Sequence, residues 1–340
     1  MKKQLIVESE FLDNLFLTQE TNDVRSDLYH FITQDFSDYH LICDFEGEID
    51  FQVAMEENPI WEIMLDKFNT IEYQSSLKID KICRDTNKFS HSLFFLDRDS
   101  STTNNFTEKY GFIFLNNKDI EKRWAKFAET RKGVHFKVTK SKLIPDDQKL
   151  DCWSKLDKYC SPLNSLIIFD KYILNDSSNQ KMSKNLLPFL KMLLSNKKTI
   201  QPIDITIITE LKRNCNIKER HSVIERYLKN CGINSFNLNI AIHYKGFYPK
   251  SLEGIHSRFI LTNYFHFKCD ASFNFFKNNG SINNDADMRI NFILSENNEF
   301  FFKKELHDIK QYLDKIKNDS HPSPEYKIMY YPDKQNSLLV

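Results

Sequence analysis

The sequence predicts an α/β protein of two domains, each a mostly parallel sheet flanked by helices. Three observations carry that expectation. The chain has 340 residues, enough for two cores of ordinary domain size. Short apolar, β-branched runs alternate with stretches of helical periodicity, which is the order that builds βαβ units. One run, "IDITIIT", is almost continuously apolar, as a strand buried on both faces of a parallel sheet should be.

The elements follow in order. The first strand is "QLIVESEFL", with acids arriving as the apolar run ends. A helix is expected around Asp27 to Asp38. "YHLICDFEGEIDFQVA" reads as a strand, a turn at Gly47, and then a second strand or a helix. Pro59 after Asn58 marks a helix start, since proline presets the first turn and asparagine caps it. The most legible unit is "HSLFFLDRDSSTTNNFTEKYGFIFLNNKDIEKRWAKFAE". It gives a strand from Ser92 to Leu96, a helix from Thr103 to Tyr110 stopped by Gly111, and a strand from Phe112 to Leu115. A helix capped by Asn116 or Asn117 then runs past Trp124. Strand–helix–strand–helix implies parallel pairing here.

Periodicity fades between Lys132 and Pro162, which places the domain boundary near Pro145. The second domain, 146–321, restarts with the strand "SLIIFDKYIL" and the amphipathic helix "SKNLLPFLKMLLSN". After "IDITIIT" come the helix "KERHSVIERYLKNCG" and the strand "FNLNIAIHY". One or two strands between Ile255 and Phe276, the strand "RINFIL" and a helix from Lys303 to Lys317 complete it. Residues 322–340 read as an extended or disordered tail.

Composition narrows the function classes. Lys plus Arg and Asp plus Glu both number 47, so a wholly basic polyanion binder is excluded, although a local basic stripe is not. The basic stretch from Lys122 to Lys142 reads as either a solvated helix face or a phosphate-backbone contact surface. Seven cysteines are scattered without CxxC pairs or zinc-ligand spacing, which fits reduced thiols in a cytoplasmic protein. Glu8 interrupts the apolar run of the N-terminus, so neither a signal peptide nor a membrane span is expected. Trp61, Trp124 and Trp153 are expected in the cores and not as base-stacking platforms.

Two groups of residues carry chemistry. In the second domain, His256 and Arg258 stand two apart in a strand-like run and so share a face. An imidazole beside a guanidinium suits a phosphate, and equally a salt-bridged sheet edge. The pattern His256-Ser257-Arg258, four residues, Asn263, followed by Gly280-Ser281-Ile282-Asn283-Asn284, resembles the phospholipase D superfamily motif. The resemblance implies His256 as a phosphorus-attacking nucleophile and Arg258 as the phosphate clamp. It sets Asn263 where the family has an acid that orients the histidine, with Ser281 or Asn284 as a supporting donor. Arginine for lysine turns a point charge into a fork. The family's active site assembles two such motifs, so activity implies a homodimer, and the alternative is a relative that only binds. Asp170 and Lys171 follow a buried strand, and are read as a strand-end ion pair or as a crevice-facing pair.

In the first domain, acids stand just past three apolar strands: Glu8 and Glu10, Asp44 and Glu48, and Asp97 and Asp99. At the carboxyl ends of parallel strands such carboxylates can converge and hold Mg²⁺ for phosphodiester hydrolysis. The alternative is that they are merely solvated. The unit "LFFLDRD…EKYGFIFLN" with "LIVESEF" is similar to a PIN-type nuclease domain over roughly residues 1 to 130, with Glu8 in place of the usual leading aspartate. Together the two resemblances imply a nucleic-acid phosphodiesterase, an accessory or effector of a prokaryotic antiphage defence system with a protein partner. The alternative is a non-catalytic adaptor or regulator that binds nucleic acid or protein.

Overall fold

The structure, a computed structural model, describes residues 3–85, 90–174, 180–195, 200–211, 216–244, 258–283, 285–318, 329–331 and 336–339. The chain is α/β, with helices flanking two sheets. The first sheet has five parallel strands: β1 (Lys3–Val7), β2 (Tyr39–Cys43), β3 (Phe68–Tyr73), β4 (His91–Phe95) and β5 (Ile113–Leu115). Their spatial order is β3-β2-β1-β4-β5, so the order reverses between β1 and β4. Helices α1 (Ser9–Thr18), α2 (Asp23–His30), α3 (Glu48–Glu57), α4 (Pro59–Met64), α5 (Ile79–Asp85), α6 (Ser100–Tyr110) and α7 (Ile120–Arg131) make the connections.

Local chemistry explains the boundaries. Val7 ends β1, and Phe11, Leu12 and Leu15 then follow helical spacing and bury one side of α1. The Asn58 side chain accepts from the Ile60 N–H, with Pro59 in the first turn of α4. Asp99 caps α6, and Gly111 stops it with φ of 68°. A β-carbon on Gly111 would lie 2.3 Å from the Leu163 carbonyl oxygen, so only glycine fits. The helix expected around Asp27 to Asp38 is α2 followed by a π-helical turn at Phe31–Asp35.

The second sheet is mixed. β6 (Val134–Val138), β7 (Ser165–Phe169), β8 (Ile203–Leu211), β9 (Phe236–Tyr244), β10 (Arg258–Thr262), β11 (Phe265–Cys269), β12 (Ala286–Phe292) and β13 (Met329–Tyr331) lie in the order β13-β9-β8-β7-β10-β11-β12-β6. Among the described strands, β7–β8 and β8–β9 pair in parallel and the other neighbours antiparallel. Helices α8 (Gln180–Lys184), α9 (Leu186–Leu194) and α10 (Ile217–Asn230) follow β7 and β8, and α11 (Glu296–Asn318) follows β12. The chain thus enters the second sheet already at β6, before Pro145. Within the stretch read as a tail, Met329–Tyr331 is an edge strand on β9.

One turn joins the sheets. Between β10 and β11, the Asn263 side chain donates to the Gly111 carbonyl at 2.9 Å and accepts from the Asn164 N–H at 3.2 Å. Its own carbonyl accepts from His91 Nδ1 at 2.6 Å. The Tyr264 hydroxyl donates to the Ser92 carbonyl at 2.5 Å and accepts from the Ile113 N–H. Around this seam α7 packs Trp124 and Phe127 against Phe292 and Phe265. Helix α11 closes the far side, where Glu299 bridges the buried Lys3 ammonium at 2.8 Å and the Lys303 ammonium at 2.6 Å. Burial is the largest influence on Lys3 and pulls its pKa down, against the opposing pull of Glu299. Trp61, Trp124 and Trp153 are all in the core.

Asn263→Ala would leave the buried Gly111 carbonyl and the half-buried Asn164 N–H without their partner, costing about 2–4 kcal/mol. Urea unfolding should show that loss, and an unchanged midpoint would remove the turn from its joining role.

His91 supplies a second check. Complete burial pushes its imidazole down to about 3 from 6.5, with the Asn263 bond opposing the shift. The unfolded chain takes up this proton below pH 6.5, and the folded chain only near pH 3. Stability from His91 is therefore complete above pH 6.5 and falls by about 1.4 kcal/mol per pH unit below it. In His91→Gln, stability measured from pH 6.5 to 5 should lose this slope. An identical slope in both proteins would contradict the assignment.

Candidate functional site

The carboxyl edge of the first sheet is the natural place for a ligand, because open α/β sheets bind where the strand order reverses. Val7 is level with Cys43 on one side and with Phe95 on the other, so Glu8 and Asp44 leave the sheet side by side and Asp97 follows close by. The edge is occupied by its own side chains. One Glu8 oxygen accepts from the Asp97 N–H at 2.7 Å, and the other from Arg98 Nε at 2.9 Å and Nη2 at 2.6 Å. Asp44 accepts from the Ser9 N–H at 2.7 Å. Asp97 accepts a long bond from Asn117 at 3.4 Å.

Asp99 does not face this group. Its carboxylate caps α6, accepting from Ser101 and from both the N–H and hydroxyl of Thr102. Those bonds, led by the Ser101 hydroxyl, hold its pKa well below the usual carboxylate value. Glu10 and Glu48 sit on the exposed first turns of α1 and α3. Among the described residues, no group of three or more His, Cys, Asp or Glu side chains is placed to hold a metal ion. A cation at Glu8 would compete with the Arg98 guanidinium for one carboxylate oxygen. As arranged, both Glu8 oxygens are engaged by the protein's own donors.

The second sheet offers a different edge. His256 and Asn284 lie outside the described residues. Arg258 opens β10, and the pairing of Phe259 with Phe169 sets it beside Asp170 at the carboxyl end of β7. Asp170 is fully buried and accepts from the Tyr172 and Phe273 N–H groups and from the Ser272 hydroxyl. Burial raises its pKa, against these bonds and the nearby Arg258 charge. It therefore holds the 270–274 loop in place and does not present itself to solvent. Burial lowers the Lys171 pKa, while neighbouring Glu210 raises it. The Arg258 guanidinium lies 5.7 Å from the centre of the Tyr172 ring, and Tyr172 as a residue is 44% exposed. A cation, an exposed aromatic face and a second cation thus share one rim.

Asn263 is not part of that rim. It follows the other end of β10, five residues from Arg258, which is about 17 Å along an extended strand. It is completely buried and fully bonded in the seam. Ser281 sits in the hairpin turn before β12, where its carbonyl accepts from the Lys277 N–H and its N–H donates to Asn279.

Four of the eight Lys and Arg side chains between Lys122 and Lys142 are engaged by the protein itself. Arg123 bonds Asp119 and two carbonyls, Arg131 pairs with Asp27 and Asp35, and Lys126 bonds the Ser161 carbonyl. Lys137 pairs with Asp287 at 3.4 Å.

Sequence reasoning missed Arg98 and Tyr172. The signal for the first was an arginine between the two acids of "LDRD". For the second it was a tyrosine directly after "FDK". The sequence matches no model of a known protein family and no curated protein.

The Glu8–Arg98 pair is testable by a double-mutant cycle. Arg98→Met should cost about 1.5–3 kcal/mol, since it leaves a half-buried carboxylate without its charged donor. Glu8→Gln combined with Arg98→Met should recover most of that loss. Additive single losses would mean that the two side chains do not couple.

Proposed function

We propose that this chain is a non-catalytic nucleic-acid-binding adaptor that grips a single strand along the rim formed by β7 and β10. The exposed Tyr172 ring beneath the Arg258 guanidinium carries this reading. Bases of any identity stack on an exposed aromatic face, while neighbouring cations hold the phosphates. The charge distribution supports it: outside residues 4–66, Lys and Arg number 46 against 31 Asp and Glu, a net charge of +15. The non-catalytic part rests on Glu8, whose oxygens are engaged by Arg98 and the Asp97 N–H. Buried thiols such as Cys43, pushed up to about 12 by burial, fit a reducing cytoplasm.

Fluorescence anisotropy with labelled single-stranded RNA and DNA tests the reading. Tyr172→Ala should weaken binding by roughly fivefold or more, the value of one lost stacking contact. Arg258→Ala should also lower the salt slope by about one. Unchanged affinity in both variants would sink the proposal. Divalent-dependent cleavage by the wild-type protein, lost in Glu8→Gln, would overturn its non-catalytic part.

A further inference from the structure

The neutral total conceals a sharp segregation of charge. Residues 4–66 contain sixteen Asp and Glu and a single basic residue, Arg25, a net charge of −15. This segment supplies α1 to α4 and covers the ends of β1 and β2.

Between α1 and α3 runs a groove of about 430 Å³, beginning beside Ser9 and Phe45. Phe16, Leu17 and Val53 form its apolar walls, and Asp13, Asp50 and Glu57 rim it. None of these three carboxylates has an ion-pair partner among the described residues, although Asp13 accepts from Asn58. Leu17 is 77% exposed and Val53 49%, and Ile49 lies one turn before Val53 on the same side of α3.

Helix α3 is covered on one side only. Of its ten residues only Phe51 is buried. Phe51 packs on the core with the half-buried Ala54 and Met55, while Ile49 and Val53 leave a second apolar strip of the helix uncovered. Its last turn carries Glu56 and Glu57 and no basic residue, so negative side chains sit on the negative end of the helix dipole. A positively charged occupant would relieve both defects together.

We propose that this groove docks a lysine- or arginine-rich amphipathic helix from a partner protein. The apolar side of the guest packs between Leu17 and Val53, and its basic side meets Asp13, Asp50 and Glu57. The inference is independent of nucleic-acid binding at the second sheet, which lies outside the acidic segment.

The probe is a fluorescein-labelled helical peptide of leucine and lysine at amphipathic spacing, with a leucine–glutamate counterpart as control, titrated against the full chain. The lysine peptide should bind and the glutamate peptide should not. Leu17→Asp with Val53→Asp should weaken binding at least about tenfold, as loss of central apolar anchors does. Both residues are exposed, so the variant keeps its fold, which circular dichroism melting verifies. Asp13→Asn, Asp50→Asn and Glu57→Gln together should lower affinity and flatten its salt dependence. Failure of the lysine peptide to bind at low salt, or equal binding by the groove variant, overturns the proposal. A dimer in sedimentation that the groove variant dissolves would assign the groove to a second copy and overturn it too. Tyr172→Ala should leave peptide affinity unchanged, so the two readings fail separately.

Discussion

The arrangement of the molecule depends on a buried polar seam. The amino edge of a parallel sheet presents peptide groups that need partners when water is excluded. Here Asn263 and Tyr264 satisfy five of them or their neighbours: the Ser92 and Gly111 carbonyls, the Ile113 and Asn164 N–H groups, and the His91 ring. Apolar contact alone would allow the sheets to slide, whereas directional bonds between named atoms permit one position. With the amino edge of the first sheet sealed in this way, its carboxyl edge faces outward. That is why Glu8, Asp44 and the groove beside α1 lie on the surface.

The two exposed edges differ in chemical character. On the first sheet, acids are answered by an internal arginine, serine and helix N–H groups. Polar groups that saturate one another strengthen the fold and leave little for a guest. On the second sheet, the buried Asp170 is spent on the loop at 270–274, and Arg258, which also bonds the Asp270 carbonyl at 3.4 Å, lies beside an exposed tyrosine. The same residue types therefore do opposite work according to what the backbone places next to them.

Local signals made much of the fold legible in the sequence. The unit from Ser92 past Trp124 was readable because Asp99, Gly111 and the apolar runs act within a few residues of one another. The start of α4 was readable for the same reason. Less legible was α1, since its first apolar residues continue the run of β1 and hide the change of period. Strands β3 and β6 were missed because polar residues alternate along them on an exposed edge. The site was harder still. Acids after strands did reach one edge of the first sheet, but spacing says nothing of how Arg98 turns back onto Glu8. Asn263 resembled a motif position, while its actual partners lie as many as 172 residues away. His91 bonding Asn263, and Lys3 bonding Glu299, are matters of tertiary placement that periodicity does not encode.

The pairing of Lys3 with Glu299 bears on how the chain is made. Strand β1 precedes every other element of both sheets, yet the carboxylate that neutralises its buried ammonium is 296 residues further on. The partner of His91 follows it by 172 residues, roughly 10–30 s of synthesis at ordinary elongation rates. Once β5 has been made, the first sheet is complete in its strands while its amino edge and the Lys3 ammonium still lack their partners. The first sheet therefore reaches its final hydrogen bonding only once residues 263 and 299 are in place.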